Sequence, residues 1–453
     1  MLGWGEKAGL LAIGAALTVQ PLMAQTLSDA LAMAYRTSGL IEQNRAVLRA
    51  ADEDVAQAVA ALRPVVNYAL GANYSDRMQN DRTSLAASLS VGLGLYDANR
   101  RQLAVDAAEE TVLATRAALV DVENSVLLNA VTAYLGVRRS EAFVELRKNN
   151  VRLLTEHFRA TRDRFEVGEL SRTDVSVAEA RLAAARSGLA AEEGNLARAR
   201  EQYRATIGSY PETLLPPPRP PKVPDSEDEA RAMARKHNPQ LRQVQHQAKA
   251  VEIGVDRAAR RRLPAISGTA GVEFNDDGEG TTSVGIQLSG PIYQGGTISS
   301  TMRKAQAQRD QVRAQLHTTG FIVDQQVSNA YSSLAVAEAG FEASEQQVSA
   351  AQLALQGVRE EFRLGARASL EVLDQEQELL DAQTNRVSVE IDRHIAAYQV
   401  LDAIGVLTAA SLGLDVPIYD PEAYYDAVKG APARYASPQG EKLDRVLRAV
   451  GQE

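Results

Sequence analysis

The chain has 453 residues, a formal net charge of −9 and no cysteine. The negative balance argues against nucleic acid as a partner, because phosphate binding needs a basic surface, and the lack of cysteine excludes disulfides, thiolate metal sites and a lipid-modified N-terminal cysteine. Aromatic residues reach only 5%, and a composition rich in Ala, Gln, Glu and Arg points to long helices and coiled coils.

Residues 1–24 read as a secretory signal peptide. Lys7 supplies the charge, 8–19 form an apolar core and Leu22-Met23-Ala24 is a small-residue cleavage site. That core is too short to span a bilayer, and no later stretch approaches about 18 consecutive apolar residues. Export without a membrane helix leaves the periplasm, the exterior or an outer-membrane β-barrel.

A first repeat is predicted over 25–210. It opens with a helix over 26–62, with Ser28 and Asp29 as start signals, and Pro64 ends it. A strand over 65–76 puts Val66, Tyr68, Leu70, Ala72 and Tyr74 on one face, and a polar loop follows over 76–82. In the next strand Leu85, Ala87, Leu89, Val91, Leu93 and Leu95 alternate with Ala86, Ser88, Ser90, Gly92 and Gly94. Nothing breaks the helical pattern from 99 to 165, a run of roughly 100 Å at about 1.5 Å per residue. After a short interruption, 173–207 is helical again. Residues 211–225 form a Pro-rich linker containing Pro216-Pro217-Pro218-Arg219-Pro220-Pro221, which is stiff and extended.

The order then starts again, giving a second repeat over 226–408. Ala32-Met33-Ala34 and Pro64 return as Ala232-Met233-Ala234 and Pro264, 200 residues on. Tyr96, Tyr134, Phe165, Gly168 and Ile207-Gly208 return as Tyr293, Tyr331, Phe362, Gly365 and Ile404-Gly405, 197 residues on, so the second strand–strand loop is three residues shorter. A period near 200 marks a duplicated domain, not a solenoid. A tail over 409–453 follows, with a Pro-, Ser- and Gly-rich stretch over 431–440 expected to be flexible.

The long helices also repeat every seven residues. Ala130, Val137, Val144, Val151, Phe158 and Phe165 form one series, and Val327, Leu334, Phe341, Val348, Leu355 and Phe362 another. Small residues Ala330, Ala337, Ser344 and Ala351 lie three positions on from the second. A strict heptad implies a left-handed supercoil with close helix approach. Val175, Leu182, Leu189, Leu196 and Tyr203 hold the period on the first return helix. On the second, Arg386 and Arg393 fall at equivalent positions, so its seam is expected to shift or face water there.

Each repeat has two strands of a length that crosses a membrane with tilt. Val284, Ile286, Leu288 and Ile292 alternate with Ser283, Gly285, Gln287 and Ser289, while Tyr68, Tyr74, Tyr96, Phe274 and Tyr293 lie near strand ends like an aromatic girdle. Four strands cannot close a membrane barrel, and open edges cannot face lipid. Membrane strands would therefore require several chains in one barrel, and three chains give twelve strands.

The break after Phe165 reads Glu166-Val167-Gly168-Glu169-Leu170-Ser171-Arg172-Thr173-Asp174-Val175, and its copy reads Arg363-Leu364-Gly365-Ala366-Arg367-Ala368-Ser369-Leu370-Glu371-Val372. Glycine suits the left-handed residue that ends a helix. Ser171 with Asp174 is a capping pair that restarts one. Each break is therefore the tip of a long helical hairpin.

With these tips, the prolines Pro64 and Pro264, and the helix start running from Ala230 to Leu241, the chain resembles the TolC family of outer-membrane channel proteins over about residues 27–408. The resemblance implies an α+β membrane protein, in which duplicated strand hairpins join long coiled-coil helical hairpins. Three chains would form a homotrimer with a 12-stranded β-barrel in outer-membrane lipid, joined to an α-helical barrel crossing the periplasm. It implies a passive exit duct for secreted protein or small toxic compounds, docked to a periplasmic adaptor and an inner-membrane ABC or proton-driven transporter. The docking tips would be Val167, Gly168, Leu170, Leu364 and Gly365. The channel gate would comprise Asp174, Arg367, Glu371 and Asp374. Glu371 stands where the family more often has Asp in the first of two acidic rings. Asp174 and Arg367 match positions joined by polar links that hold the tips shut, and Phe362 stands where a Tyr is often found. The tail segment Ile418-Tyr419-Asp420-Pro421-Glu422-Ala423-Tyr424-Tyr425 is similar to tails of members assigned to type I secretion.

From the residues alone, Glu371, Asp374, Glu378 and Asp381 share one helix face. In a monomer that is a solvated face; in a three-fold channel it becomes stacked acid rings that attract cations. No enzyme reading holds: His157, His237, His246, His317 and His394 lack paired metal-ligand spacing, and Gly92-Leu93-Gly94 lacks the third glycine of a dinucleotide loop. No catalytic residue, cofactor or metal is expected. The other reading of the pattern is a soluble periplasmic coiled-coil adaptor or scaffold.

Overall fold

The computed structural model describes residues 24–75, 82–275 and 278–431. The expected signal peptide up to residue 23, the expected loop over 76–81 and the tail from 432 lie outside the described residues.

The first helical segment is not one helix over 26–62 but two, α1 (Leu27–Thr37) and α2 (Gly39–Ala60). Ser38 is extended and ends α1, and its hydroxyl accepts from the Ile41 amide to start α2. The start signal also differs by two residues. Thr26 is the N-cap of α1 and exchanges hydrogen bonds with Asp29, while Ser28 is already inside the helix. The duplication carries the break with it: α5 (Glu227–His237) and α6 (Pro239–Ala259) meet at Asn238. There Pro239 occupies the first helical position, where its missing N–H costs nothing. The Asn238 side chain caps Leu241 and reaches the Ala403 carbonyl at 3.0 Å.

Strands β1 (Val65–Ser75), β2 (Arg82–Tyr96), β3 (Ala265–Asn275) and β4 (Gly280–Ser289) follow these helix pairs. Among the described residues they form one antiparallel sheet in the order β1-β2-β3-β4, so the two repeats join through β2 and β3. Ile292 and Tyr293 are not strand residues. Pro291, which cannot donate to a ladder, follows the end of β4, and both side chains stand free of it.

The long hairpins are α3 (Arg100–Glu166) with α4 (Arg172–Ile207), and α7 (Thr297–Arg363) with α8 (Ser369–Ile404). Outgoing helices of 67 residues and return helices of 36 match between the repeats. Helices α2, α3, α6 and α7 pack side by side in the same order as the strands they join. The sheet therefore continues into a single palisade of helices, with the hairpin tips at its far end.

Most heptad positions are buried or half-buried, while Phe165 at the tip is exposed. Ala130, Val137 and Val144 lie in the seam of the first hairpin, and Val327, Leu334 and Leu355 in that of the second. The small stripe Ala330, Ala337, Ser344 and Ala351 is buried throughout, which allows close backbone approach. At Arg393 the seam does not turn to water. Its guanidinium lies 4.1 Å from the Phe341 ring centroid, so a stacked cation takes the place of an aliphatic knob. Arg386 pairs with Glu390 along its own helix.

The main core lies midway along the hairpins, where α1, α3, α4 and residues around Leu407–Leu414 converge on Tyr134, Tyr203 and Leu127. The Tyr134 hydroxyl donates to the Leu215 carbonyl at 2.7 Å, and its copy Tyr331 donates to the Pro224 carbonyl at 2.6 Å. Each hairpin thus pins one end of the Pro-rich linker. The tail runs back to α9 (Pro421–Val428), which lies on α2 and α3. There Tyr424 and Tyr425 donate to Glu53 and Glu109, and Arg45 stacks on Tyr419.

Candidate functional site

The first tip closes α3 with a residue pair that only a left-handed position permits. Gly168 has φ +82°, its N–H bonds the Phe165 carbonyl, and the Glu169 N–H reaches back to Arg164. These are the two bonds of a Schellman ending. The copy repeats them, with Gly365 at φ +76° bonding Phe362, and Ala366 bonding Glu361. The helices restart differently. Ser171 and Asp174 form a reciprocal capping box, whereas Ala368 has no side-chain oxygen and is held only by the Glu371 carboxylate on its N–H. Both turns push apolar side chains outward: Val167 is 72% exposed and Leu364 83%. Leu170 is only half-buried.

The expected gate residues separate into two sets. The Asp174 carboxylate is occupied by the Ser171 hydroxyl and amide, which hold it below the usual carboxylate range. Arg367 sits between Glu361 and Glu371 of its own hairpin, with Nε 2.8 Å from Glu361. The guanidinium and the Ala368 amide lower the Glu371 pKa. Within one protomer Asp174 and Arg367 are therefore not brought together. Asp374 instead meets Arg181 of α4 at 2.7 Å, a tie between the two hairpins.

More ties surround that one. His157 of α3 faces the Ser369 hydroxyl at 3.2 Å, with burial pushing its imidazole pKa down. Leu154, Leu182 and Leu373 form a small core between the hairpins. Arg164 lies 5.5 Å from the centroid of the Phe362 ring. Where a Tyr would offer a hydroxyl, this chain offers a ring face to a cation. Sequence reasoning missed Arg181, His157, Ser369 and Arg164 as members of this site. Spacing along one helix reports only which residues share its face, not what the next hairpin presents to it. Glu378 and Asp381 stay exposed on the acidic face of α8 with Glu371 and Asp374. Among the described residues, no group of three or more His, Asp or Glu is placed to hold a metal ion.

At the other end lies the sheet. Its register aligns Val66, Val91, Ala270 and Val284 in one row, and Tyr68, Leu89, Val272 and Thr282 in another. A mainly apolar face therefore crosses all four strands, with Thr282 the one polar side chain in these two rows. It is bare: Tyr68, Leu70, Val284 and Ile286 are each more than 75% exposed. The reverse face carries rows such as Asn67, Ser90, Gly271 and Ser283. Among the described residues, the outer edges of β1 and β4 pair with no strand. Among the described residues, no helix is long and apolar enough to cross a membrane.

The model of the outer membrane efflux protein family matches residues 32–209 and 231–406, one span in each repeat. The outer membrane efflux protein BepC of Brucella suis biovar 1 (strain 1330) is 34% identical over 441 residues, covering 96% of this chain and 97% of that one. The proteases secretion protein PrtF of Dickeya chrysanthemi is 24% identical over 412 residues, covering 85% and 89%. In fold, the chain is similar to the outer membrane channel CmeC of Campylobacter jejuni, with a TM-score of 0.77, 12% identity and 89% of each chain covered.

Proposed function

The chain belongs to the outer membrane efflux protein family, an outer-membrane channel and not an enzyme, and from that premise we propose that three copies form the exit duct of a tripartite export system. The observation that carries the reading is the sheet, with its mainly apolar face and two open edges. In lipid every backbone N–H and C=O must be paired, so an edge of this kind requires a neighbour. Joining the β4 edge of one copy to the β1 edge of the next gives twelve strands, with the apolar face toward lipid and the small, polar face toward a lumen. A soluble periplasmic scaffold would leave that apolar face against water, which monomeric surfaces avoid.

The palisade then prolongs the lumen into the periplasm, and the tips reach roughly 100 Å from the sheet at about 1.5 Å per residue. Val167, Gly168, Leu170, Leu364 and Gly365 meet the periplasmic adaptor, since exposed apolar side chains on a rigid turn suit docking. An inner-membrane ABC or proton-driven transporter supplies the energy, and the cargo, secreted protein or small toxic compounds, passes passively. Three-fold repetition stacks Glu371 and Asp374 as acid rings. A link between Asp174 and Arg367 would run between neighbouring copies, after Arg367 leaves Glu361 or Glu371. Cysteine cross-linking tests the assembly cleanly because the chain has no cysteine of its own. Asn67→Cys in β1 combined in turn with Thr281→Cys, Ser283→Cys or Gly285→Cys in β4 should give a monomer–dimer–trimer ladder in outer membranes for one register. Monomer alone in every combination would refute the shared barrel.

A further inference from the structure

We propose that the junction of sheet and helices holds a binding site for a solute with clustered anionic groups, such as phosphates or carboxylates. A cavity of about 850 Å³ lies where α3, α6 and α7 meet the ends of β2 and β3. Arg100, Arg101, Arg257, Arg261 and Lys304 line it, against one carboxylate, Asp97, so the wall carries 5 − 1 = +4 in a chain of net charge −9. Asp97 is already engaged by Arg101 at 3.1 Å, and Arg101 also donates to the carbonyls of Ala61 and Gly94. Arg257, Arg261 and Lys304 have no hydrogen-bond or ion-pair partner among the described residues. Arg257 lies in the last turn of α6, Arg261 lies four residues on in the 3-10 turn Arg260–Arg262 that follows it, and Lys304 stands on α7. Like charges left together without counter-charges repel one another, and an anion bound among them removes that repulsion. Two guanidinium forks with one ammonium match phosphate or carboxylate oxygens better than a lone cation does.

The cavity opens on the small, polar face of the sheet. Gly94 belongs to that face, and a Cβ added to it would meet the Arg101 guanidinium at 2.5 Å. Ser267, its partner in register, also lines the cavity. Placing the site on the duct's inner wall rests on the function proposed above; the charge of the cavity does not. In a trimer the cations would recur three times around the lumen just below the barrel, opposite in sign to the acid rings at the tips. A solute bearing clustered anionic groups would then be held after passing the tips and before entering the barrel.

Calorimetric titration of inorganic tripolyphosphate into the full-length protein in neutral detergent tests the site. Saturable binding is expected, weakened by added salt and weakened about tenfold or more in Arg257→Gln/Arg261→Gln/Lys304→Gln, which removes most of the cavity's net charge. The three single variants should each weaken it less, and serve if the triple variant does not assemble. Equal affinity in all variants, or no binding by the wild type, overturns the proposal. So does retention of anionic lipid in nanodiscs that tripolyphosphate cannot compete, which would make this a lipid headgroup site. Planar bilayers separate the two readings. Binding without any conductance would refute the duct and leave the site standing, whereas conductance with unchanged binding in the variants would refute the site and leave the duct.

Discussion

Arg181→Ala should shift the gate proposed above toward its open state. The Arg181–Asp374 pair at 2.7 Å joins α4 of one hairpin to α8 of the other, with side chains 42% and 53% exposed. An exposed pair of this kind contributes about 0.2–1 kcal/mol after solvent screening. If the tips of a trimer move together, three copies act on one equilibrium, and a middle value of about 0.5 kcal/mol each sums to about 1.5 kcal/mol. That is about a tenfold shift in the ratio of open to closed states. Single-channel recording in planar bilayers reads it as longer or more frequent high-conductance episodes. Two controls isolate the cause. The effect of Arg181→Ala should fade in about 1 M salt, where the Debye length is near 3 Å. In a double-mutant cycle, Arg181→Ala should add little once Asp374→Asn is present. Unchanged conductance in Arg181→Ala at low salt, or full additivity with Asp374→Asn, would refute the view that this tie holds the tips together.

Glu371→Ala with Asp374→Ala should weaken block by divalent cations, read as a higher blocking concentration in the same bilayers. Gly168→Val forces a β-branched residue to φ +82°, where the space beside it is empty and the cost is backbone strain of about 1–2 kcal/mol; trimers should still form while export of a reporter cargo falls. Asp52 offers a pH test. It is fully buried on α2 without a hydrogen-bond partner, and burial pushes its carboxyl from 3.8 up to about 6, opposed by Arg116. Because the folded chain holds that proton more tightly, stability falls as pH rises from about 4 through 6. Asp52→Asn should therefore gain up to about 3 kcal/mol above pH 6 and nothing below about 4, seen as slower hydrogen exchange in α2 and α9.

Much of this molecule is periodic, and periodicity is what a sequence displays best. The long helices end within a residue of their expected bounds because Gly168, Gly365 and the Ser171–Asp174 box act locally. The strands are equally plain, since burial against lipid and lumen imposes a period of two. The break at Ser38 is different. Its flanks suit one continuous helix, and only its duplicate, Asn238-Pro239, carries an overt breaker. Reading the copies against each other would have located it. What no local pattern carries is the meeting of hairpins. Arg181 finds Asp374 across 193 residues, and Tyr424 finds Glu53 across 371.

The two ends of the protein also differ in how far one chain completes them. Near the tips Arg181, His157 and the Leu154–Leu182–Leu373 core join one hairpin to the other within a single protomer. At the sheet, nothing among the described residues covers the apolar face or pairs the outer edges of β1 and β4. A shared barrel follows from the second condition, because unpaired edges in lipid cost several kcal/mol per group. The first gives the tips a different character. Half-exposed ion pairs and one small core hold them, a combination weak enough to be displaced by a docking partner whose contacts are worth a few kcal/mol. In the duct proposed above, a permanent barrel at one end would meet a releasable closure at the other.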